Sequence, residues 1–366
     1  MSYSARYPTA PPVSDRLDLL WLRATLAAAA SGPLPTALGP TFHGALGRAL
    51  KLVACALPRP LEQICPGCAM LDRCPYPRLA EPRRHRWSGQ IPPAALITAP
   101  FGSVPRALNL GAVLNLDLTL VGHAVHALPV LLSGLALVAR DGIGPGRVQC
   151  AVVRVDALDA SGQPLAAVQV GGELTGTAPV ISAAAWQTRG ARGGGRTSLR
   201  VAIGSPLCLQ RDGAIDTRPP SFAELIRALA RRSDALARAY CGEESPFPDP
   251  RPWLSAAESV RIDDSQLHWE RRQRRSASTG QVMPLEGMTG WIDYAAPAAV
   301  LEPFFPLLFL GEALGVGRGC AFGNGRYRIH LPRQGKPTDR DTARESKHGS
   351  SLQGNAAPER ALPVKP

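Results

Sequence analysis

Lysine is nearly missing from this 366-residue chain: of its 41 basic residues only four are Lys, and Lys51 alone precedes residue 336. Acidic residues are also in deficit, at 29, which leaves a formal net charge of +12 and a pI of 9.8. A surplus of this sign suits a polyanionic partner, nucleic acid before an anionic membrane surface. A general habit of using Arg would give the same charge with no such partner. Uninterrupted membrane-length runs are absent too. A span needs about 20 apolar residues, yet Leu108–Ala139 contains Asp117, His123, His126 and Pro129, and Ala295–Leu314 carries Glu302, Glu312 and prolines. The early apolar stretch Leu17–Ala30 holds Asp18 and Arg23 with no basic segment ahead of it, so no signal peptide is expected. These absences predict a soluble, cytoplasmic protein with no membrane partner. Four of its eight cysteines (Cys55, Cys65, Cys68 and Cys74) lie close together, and without an export signal they read as reduced thiols or metal ligands rather than a disulfide framework.

The length suits about two domains. A strand is expected over Leu17–Leu26, then a Gly/Pro-rich connection, Ser31–Pro40, and a helix over Phe42–Ala56 with Thr41 as N-cap. Pro58–Pro93 has no period and reads as an excursion from the core. Strands follow at Leu96–Thr98, Val113–Leu120, Val148–Val155 and Leu165–Val170, with a helix at Pro129–Val138 and a turn at Asp159–Gln163. The stretch from Gln187 to Arg196 cannot build a core and marks a boundary. Beyond it come a strand from Ser198, a helix from Ser221 to Tyr240 with Glu224 completing a capping box, a hairpin-like region and an apolar helix, Ala299–Leu314. Each half thus begins strand, loop, helix, further strands. The expected class is α+β: two tandem ferredoxin-like (RRM-like) domains with a C-terminal glycine-rich loop. Their expected bounds are 1–187 (with the Cys-rich insertion 58–93) and 197–332, with a linker at 188–196 and a disordered tail at 333–366.

Gly315-Val-Gly-Arg-Gly-Cys-Ala-Phe-Gly-Asn-Gly-Arg-Tyr-Arg-Ile-His330 carries the most information. Glycine lets a backbone approach a ligand and reach positive φ, and consecutive N–H groups can form an anion-binding nest. Gly315, Gly317, Gly319, Gly323 and Gly325, with Arg318, Arg326 and Arg328 between or after them, are therefore expected to hold phosphates. A dinucleotide fingerprint is excluded, because no strand precedes the segment and no βαβ unit follows. The Gly-Lys-Ser/Thr ending of a P-loop is also missing. A tight turn packed on a sheet is the plain structural alternative.

With Phe304–Ala313 and Leu267–Gln281, this segment resembles the C-terminal domain of the CRISPR repeat-RNA processing endoribonucleases, within the repeat-associated mysterious protein (RAMP) superfamily. The family pattern G-x-G-x-x-x-x-F-G-x-G-x-Y matches Gly315–Tyr327, with Asn324 standing where a small or apolar residue is common. Phe42–Leu50 resembles the family's first helix, and Cys65–Tyr76 its Cys-Pro-x-Cys … Cys-Pro-Tyr stretch. The resemblance implies tandem ferredoxin-like domains, binding of CRISPR repeat RNA, cleavage on one side of the repeat, and delivery of crRNA to CRISPR effector subunits. A binding subunit without nuclease activity and a basic protein-interaction scaffold remain as alternatives.

Metal-independent cleavage needs a base for the 2′-hydroxyl, an acid for the leaving oxygen and a cation for the phosphorane, leaving a 2′,3′-cyclic phosphate. Histidine suits the proton transfers and Lys or Arg the charge. His43 is the first candidate catalytic residue and Lys51, two turns along the same helix, the second; His330 is a weaker one. His123 and His126 read as core histidines, and His85 and His348 as loop and tail residues. Trp269, Arg271, Arg272, Arg274 and Arg275 form a dense cationic and aromatic run suited to phosphates and bases, or else a solvated hairpin. No cofactor is expected for catalysis. Cys55, Cys65, Cys68 and Cys74 are packing thiols, a structural zinc site or iron–sulfur ligands.

Overall fold

In a computed structural model, which describes residues 17–80, 84–85, 89–90, 92–98, 105–211, 213–242, 251–275 and 280–332, the first strand, β1 (Leu19–Ala28), is buried on both faces at its start. Leu19, Leu20, Trp21 and Leu22 are all at most 1% exposed. Four consecutive buried residues on a strand, whose side chains alternate sides, require cover above and below. Helices provide it on one side and the second half of the chain on the other.

The first half continues with α1 (Leu38–Ala54), β2 (Ala95–Thr98), β3 (Val113–Val121), α2 (Leu128–Asp141), β4 (Cys150–Leu158) and β5 (Pro164–Val170). Its sheet runs β5-β4-β1-β3-β2, all neighbours antiparallel, with Glu173–Leu174 added beyond β5. After α3 (Ala183–Ala191), the second half has β6 (Ser198–Leu207), α4 (Phe222–Tyr240), β7 (Arg261–Glu270), β8 (Gly287–Ala295), α5 (Phe305–Leu314) and β9 (Tyr327–His330), in the sheet order β7-β8-β6-β9. Both halves have a βαββαβ core in which the first strand sits between the third and fourth. That is the ferredoxin-like arrangement, so the α+β tandem expectation describes the molecule.

Sequence chemistry explains the helices. Ser221 Oγ accepts from the Glu224 N–H (3.3 Å) while the Glu224 carboxylate accepts from the Ser221 N–H (2.8 Å), closing the expected capping box on α4. Gly134 lets α2 lie close on Leu46 and Leu50 of α1; an added Cβ would stand 2.9 Å from Leu50. The stretch Gly122–Asp141 is long and apolar enough by composition to cross a membrane, but its buried Leu131, Leu132, Leu135 and Val138 belong to the core.

Several expectations need correction. α1 starts at Leu38, not Phe42; Thr41 lies inside it, its hydroxyl donating to the Ala37 carbonyl (3.0 Å) instead of capping. His123 and His126 are exposed on a short 3-10 turn, Gly122–Ala127, rather than buried. Residues 188–196 are no free tether. The last turn of α3 occupies 188–191, and an added Cβ on Gly190 would be 2.8 Å from Pro306. The chain through Leu331 packs as one unit. The tail 333–366 with His348, and parts of the Arg-rich end of the 58–93 insertion with the side chain of His85, lie outside the described residues.

Candidate functional site

The glycine-rich segment leaves α5 and returns as β9, and it can do so only because its glycines take left-handed backbone. Gly315, Gly317, Gly319, Gly323 and Gly325 have φ of 69°, 86°, 76°, 82° and 68°. The turn is held by its own amides: Val316 N–H donates to Gly325 O, Arg318 to Cys208 O, Phe322 and Asn324 to Gly319 O, Gly323 to Cys320 O, and Gly325 to Pro206 O. The expected phosphate nest is therefore largely consumed inside the loop. The glycines shape it, and contact with a ligand falls mainly to side chains.

One of those side chains is Phe322, which joins three distant segments. The His43 imidazole stands edge-on to its ring (centroids 4.6 Å apart, planes at 77°), and the Arg274 guanidinium lies 3.9 Å from the ring centroid. α1 can approach because residue 39 is Gly: an added Cβ would sit 2.2 Å from the Phe322 carbonyl oxygen. Arg274 comes from the ribbon in which Gln273–Arg275 pairs with Val282–Pro284. Burial, then the charge of Arg274, lowers the His43 pKa to about 4, opposed by a hydrogen bond to the Ala321 backbone. With its pKa lowered, the imidazole is neutral at neutral pH and has one ring nitrogen without a proton.

A second opening adjoins the same loop. A cleft of about 570 Å³ runs between α4 and the short ribbon Gln210–Arg211/Ala214–Ile215, with Gly317 and Arg318 in its wall. Arg211 and Arg218 there are paired with Glu224 and Asp216, whereas Arg227, Arg231 and Arg318 line it exposed. Of these, Arg318 is among the arginines expected from the sequence, and the i, i+4 spacing of Arg227 and Arg231 on one helix was the signal that those two share a face.

Other expected site residues sit elsewhere. Arg326 is 4% exposed, and its guanidinium pairs with Asp117 on β3 (3.0 Å), which also takes Arg23 from β1 (2.8 Å). Burial alone would raise the Asp117 pKa; Arg326 and Arg23 more than offset it and hold it below the usual carboxylate value. Arg328 pairs with the buried Glu312 (3.4 Å), which also takes Arg189 (2.6 Å) and the Ile329 N–H (2.6 Å). Arg326 joins the halves of the molecule through Asp117, and Arg328 reaches the first half at the Trp21 ring (5.3 Å to its centroid). Lys51 is turned away from His43 into the Cys-rich excursion, where its ammonium donates to Gln63 O (2.7 Å) and lies 5.5 Å from the Tyr76 ring centroid. His330 stands at the far end of β9 opposite Arg200, about 10 Å of strand beyond Tyr327. In the ribbon region Trp269 Nε1 donates to Glu286 (3.4 Å), Arg272 pairs with Glu270 (2.6 Å), Arg271 is exposed, and the Arg275 side chain lies outside the described residues. Cys55, Cys65, Cys68 and Cys74 are not in disulfides.

The described chain thus has two ferredoxin-like units, and the glycine-rich loop of the second meets the first helix of the first. Residues 201–327 match the family model of the CRISPR-associated endoribonuclease Cas6, and residues 17–179 match a model described as an N-terminal domain. No curated protein matches the chain. Among solved structures, Cas6 of Thermus thermophilus is similar with a TM-score of 0.50 at 14% identity, over 86% of this chain and 99% of that one. A chain of a partial Cas6-RT-Cas1–Cas2 complex is similar with a TM-score of 0.53 at 11% identity, over 88% of this chain but only 47% of that one. These likenesses carry the fold. Residues 201–327 thus carry a match to the Cas6 endoribonuclease family, in a chain whose fold is shared with solved Cas6 structures.

Proposed function

We propose that the protein cleaves CRISPR precursor RNA within its repeats, without a catalytic metal, at the meeting point of His43, Phe322 and Arg274. The observation that carries this reading is the meeting of the His43 imidazole and the Arg274 guanidinium on the Phe322 ring, at the edge of the glycine-rich loop; burial and Arg274 lower the His43 pKa to about 4 and keep the ring neutral there. In this reading the bare nitrogen of His43 takes the proton of the 2′-hydroxyl, whose oxygen attacks the adjacent phosphorus. Arg274 then stabilises the negative charge that builds on the phosphorane oxygens, which a guanidinium does well where water is partly excluded. Expulsion of the 5′-oxygen, which takes its proton from water while the His43 imidazolium returns its own to solvent, leaves a 2′,3′-cyclic phosphate and a 5′-hydroxyl. Phe322 offers a ring on which a base can stack once Arg274 moves to phosphate.

The Arg-lined cleft supports the same reading, since exposed Arg227, Arg231 and Arg318 would grip the strand on one side of the cut. Partners follow from it: repeat RNA as substrate, crRNA as product, and other CRISPR proteins as recipients, as the Cas6-RT-Cas1–Cas2 neighbour illustrates for that protein. Functionally, residues 1–187 would contribute the base and 197–332 the RNA grip. A second reading, repeat binding without cleavage, is favoured by one observation: Lys51 and His330, the other proton-transfer candidates, stand away from His43. The deciding experiment is incubation of purified protein with end-labelled repeat RNA in excess EDTA, beside a scrambled RNA. A single cut ending in a cyclic phosphate is expected; tight, repeat-selective binding with no cut would leave the binding role.

A further inference from the structure

The stretch between α1 and the short helix Pro75–Leu79 is ordered without a core. None of residues 51–75 is buried, and Leu57, Leu61, Ile64 and Met70 are exposed, Ile64 at 78%. Its ties include side-chain hydrogen bonds (Lys51 to Gln63 O, Gln63 Nε2 to Pro58 O, Arg78 to Asp72 O), local backbone turns such as Cys74 N–H to Met70 O, and the packing of half-buried Cys65 and Cys74 against the edge of the core. Each hydrogen bond is worth only about 1 kcal/mol net, while ordering a residue's backbone costs roughly 1–2 kcal/mol. Small segments without a core are ordinarily held by a disulfide or a metal, and none of these cysteines is in a disulfide.

All four thiols line one cavity of about 130 Å³. Cys55 closes the C-terminus of α1 and Cys74 opens the helix Pro75–Leu79, so the two fixed ends of the excursion each contribute one. The other two sit on the tight turn Cys65-Pro-Gly-Cys68, in which the Cys68 N–H donates to Cys65 O (3.0 Å) and Gly67 takes φ of 86°. Lys51 and Arg73 line the same cavity and bring positive charge to it. No three His, Cys, Asp or Glu side chains among the described residues converge tightly enough to hold a metal as they stand. Metal entry must therefore draw the thiols inward across the cavity by side-chain rotation.

We propose that Cys55, Cys65, Cys68 and Cys74 bind one structural Zn²⁺ that serves the excursion as its core. Four thiols and one Zn²⁺ give a tetrathiolate complex of net charge −2 with release of four protons and no electron transfer. The ammonium of Lys51 and the guanidinium of Arg73 offset that charge, which gives the lone early lysine a role that leaves RNA chemistry to His43. Four thiolates leave no open position, so the metal ties α1 to the helix Pro75–Leu79 and does not touch substrate.

The test is metal analysis of untagged protein purified under reducing conditions from zinc-replete cells. One zinc per chain is expected, released by a mercurial at four thiol equivalents. The Cys65→Ser/Cys68→Ser variant should lose at least tenfold in zinc content and become sensitive to protease between residues 56 and 73. Should that variant fail to fold, cobalt reconstitution of the wild-type protein is expected to give thiolate-to-cobalt charge-transfer bands of tetrahedral type. Protein that carries no zinc and whose cysteines react equally fast with a thiol reagent before and after cobalt is added would overturn the proposal. So would iron with visible absorption after anaerobic purification.

Discussion

Arg318 and Arg326 come from the same glycine-rich segment, yet they belong to two unlike regions. Arg326 lies in a closed seam between the halves, with Asp117 and Arg23, beside a second set of Glu312, Arg189 and Arg328. Arg318 lies exposed in the open cleft with Arg227 and Arg231. The seam spaces its guanidiniums around buried carboxylates, whereas three of the cleft's guanidiniums are exposed. A chain that uses Arg for nearly all its positive charge thus divides one residue type between holding the scaffold and meeting a polyanion. Net charge alone does not tell the two apart.

Breaking the seam should have the largest effect. Asp117→Ala leaves Arg326 and Arg23 without their shared carboxylate, and loss of one partner from a buried ion pair costs about 3–5 kcal/mol; chemical denaturation should show that loss, and a change below about 0.5 kcal/mol would contradict the role given to the seam. Next is the contact that forms the site. Gly39→Ala forces a methyl against the Phe322 carbonyl and should cost roughly 1–3 kcal/mol, with a fall in cleavage that Gly44→Ala, at a position with open space, does not share.

Removing Arg274 sharpens the comparison from the open side. One charge-assisted contact is worth roughly 1.5–3 kcal/mol, so Arg274→Ala should lower cleavage at least about tenfold and leave thermal stability nearly unchanged. It also removes a positive charge from His43, so the acid limb of the pH–rate profile should move to higher pH than in the wild-type protein. In the intact protein the folded His43 pKa of about 4 lies below its ordinary 6.5. The unfolded chain therefore binds the proton first as pH falls, and stability declines between those two values; His43→Gln should flatten that part of the stability curve. The smallest effect is expected at Arg227→Ala/Arg231→Ala. Repeat binding should weaken, and the salt dependence should lose about 0.7 in slope for each single-strand phosphate contact removed, with no change in the site of cutting.

Much of the scaffold was legible before the structure. The capping box at Ser221 and Glu224 rests on local chemistry and lies where the sequence pattern puts it. The Asp159 turn does too, its carboxylate accepting from the Ser161 and Gln163 N–H groups. The start of α1 was not legible, because Gly39-Pro40 reads as loop until the loop around Phe322 is seen pressing on Gly39. The roles of Arg318 and Arg326 were not separable either, since burial is decided by partners 209 residues away in the chain. A signal for the seam did exist: Asp117 and Glu312 each stand alone in an apolar run, and a buried carboxylate demands cationic partners. They were read only as interruptions of a membrane span.

The central claim is that His43 does the chemistry on RNA while the Arg-lined cleft beside the glycine-rich loop holds it. The direct measurement is single-turnover cleavage and equilibrium binding of repeat RNA by His43→Ala in EDTA, beside the wild-type protein. The account predicts a cleavage rate lower by roughly 10²–10⁴-fold with repeat affinity unchanged. Cleavage at the wild-type rate, or equal loss of cleavage and affinity, would contradict it.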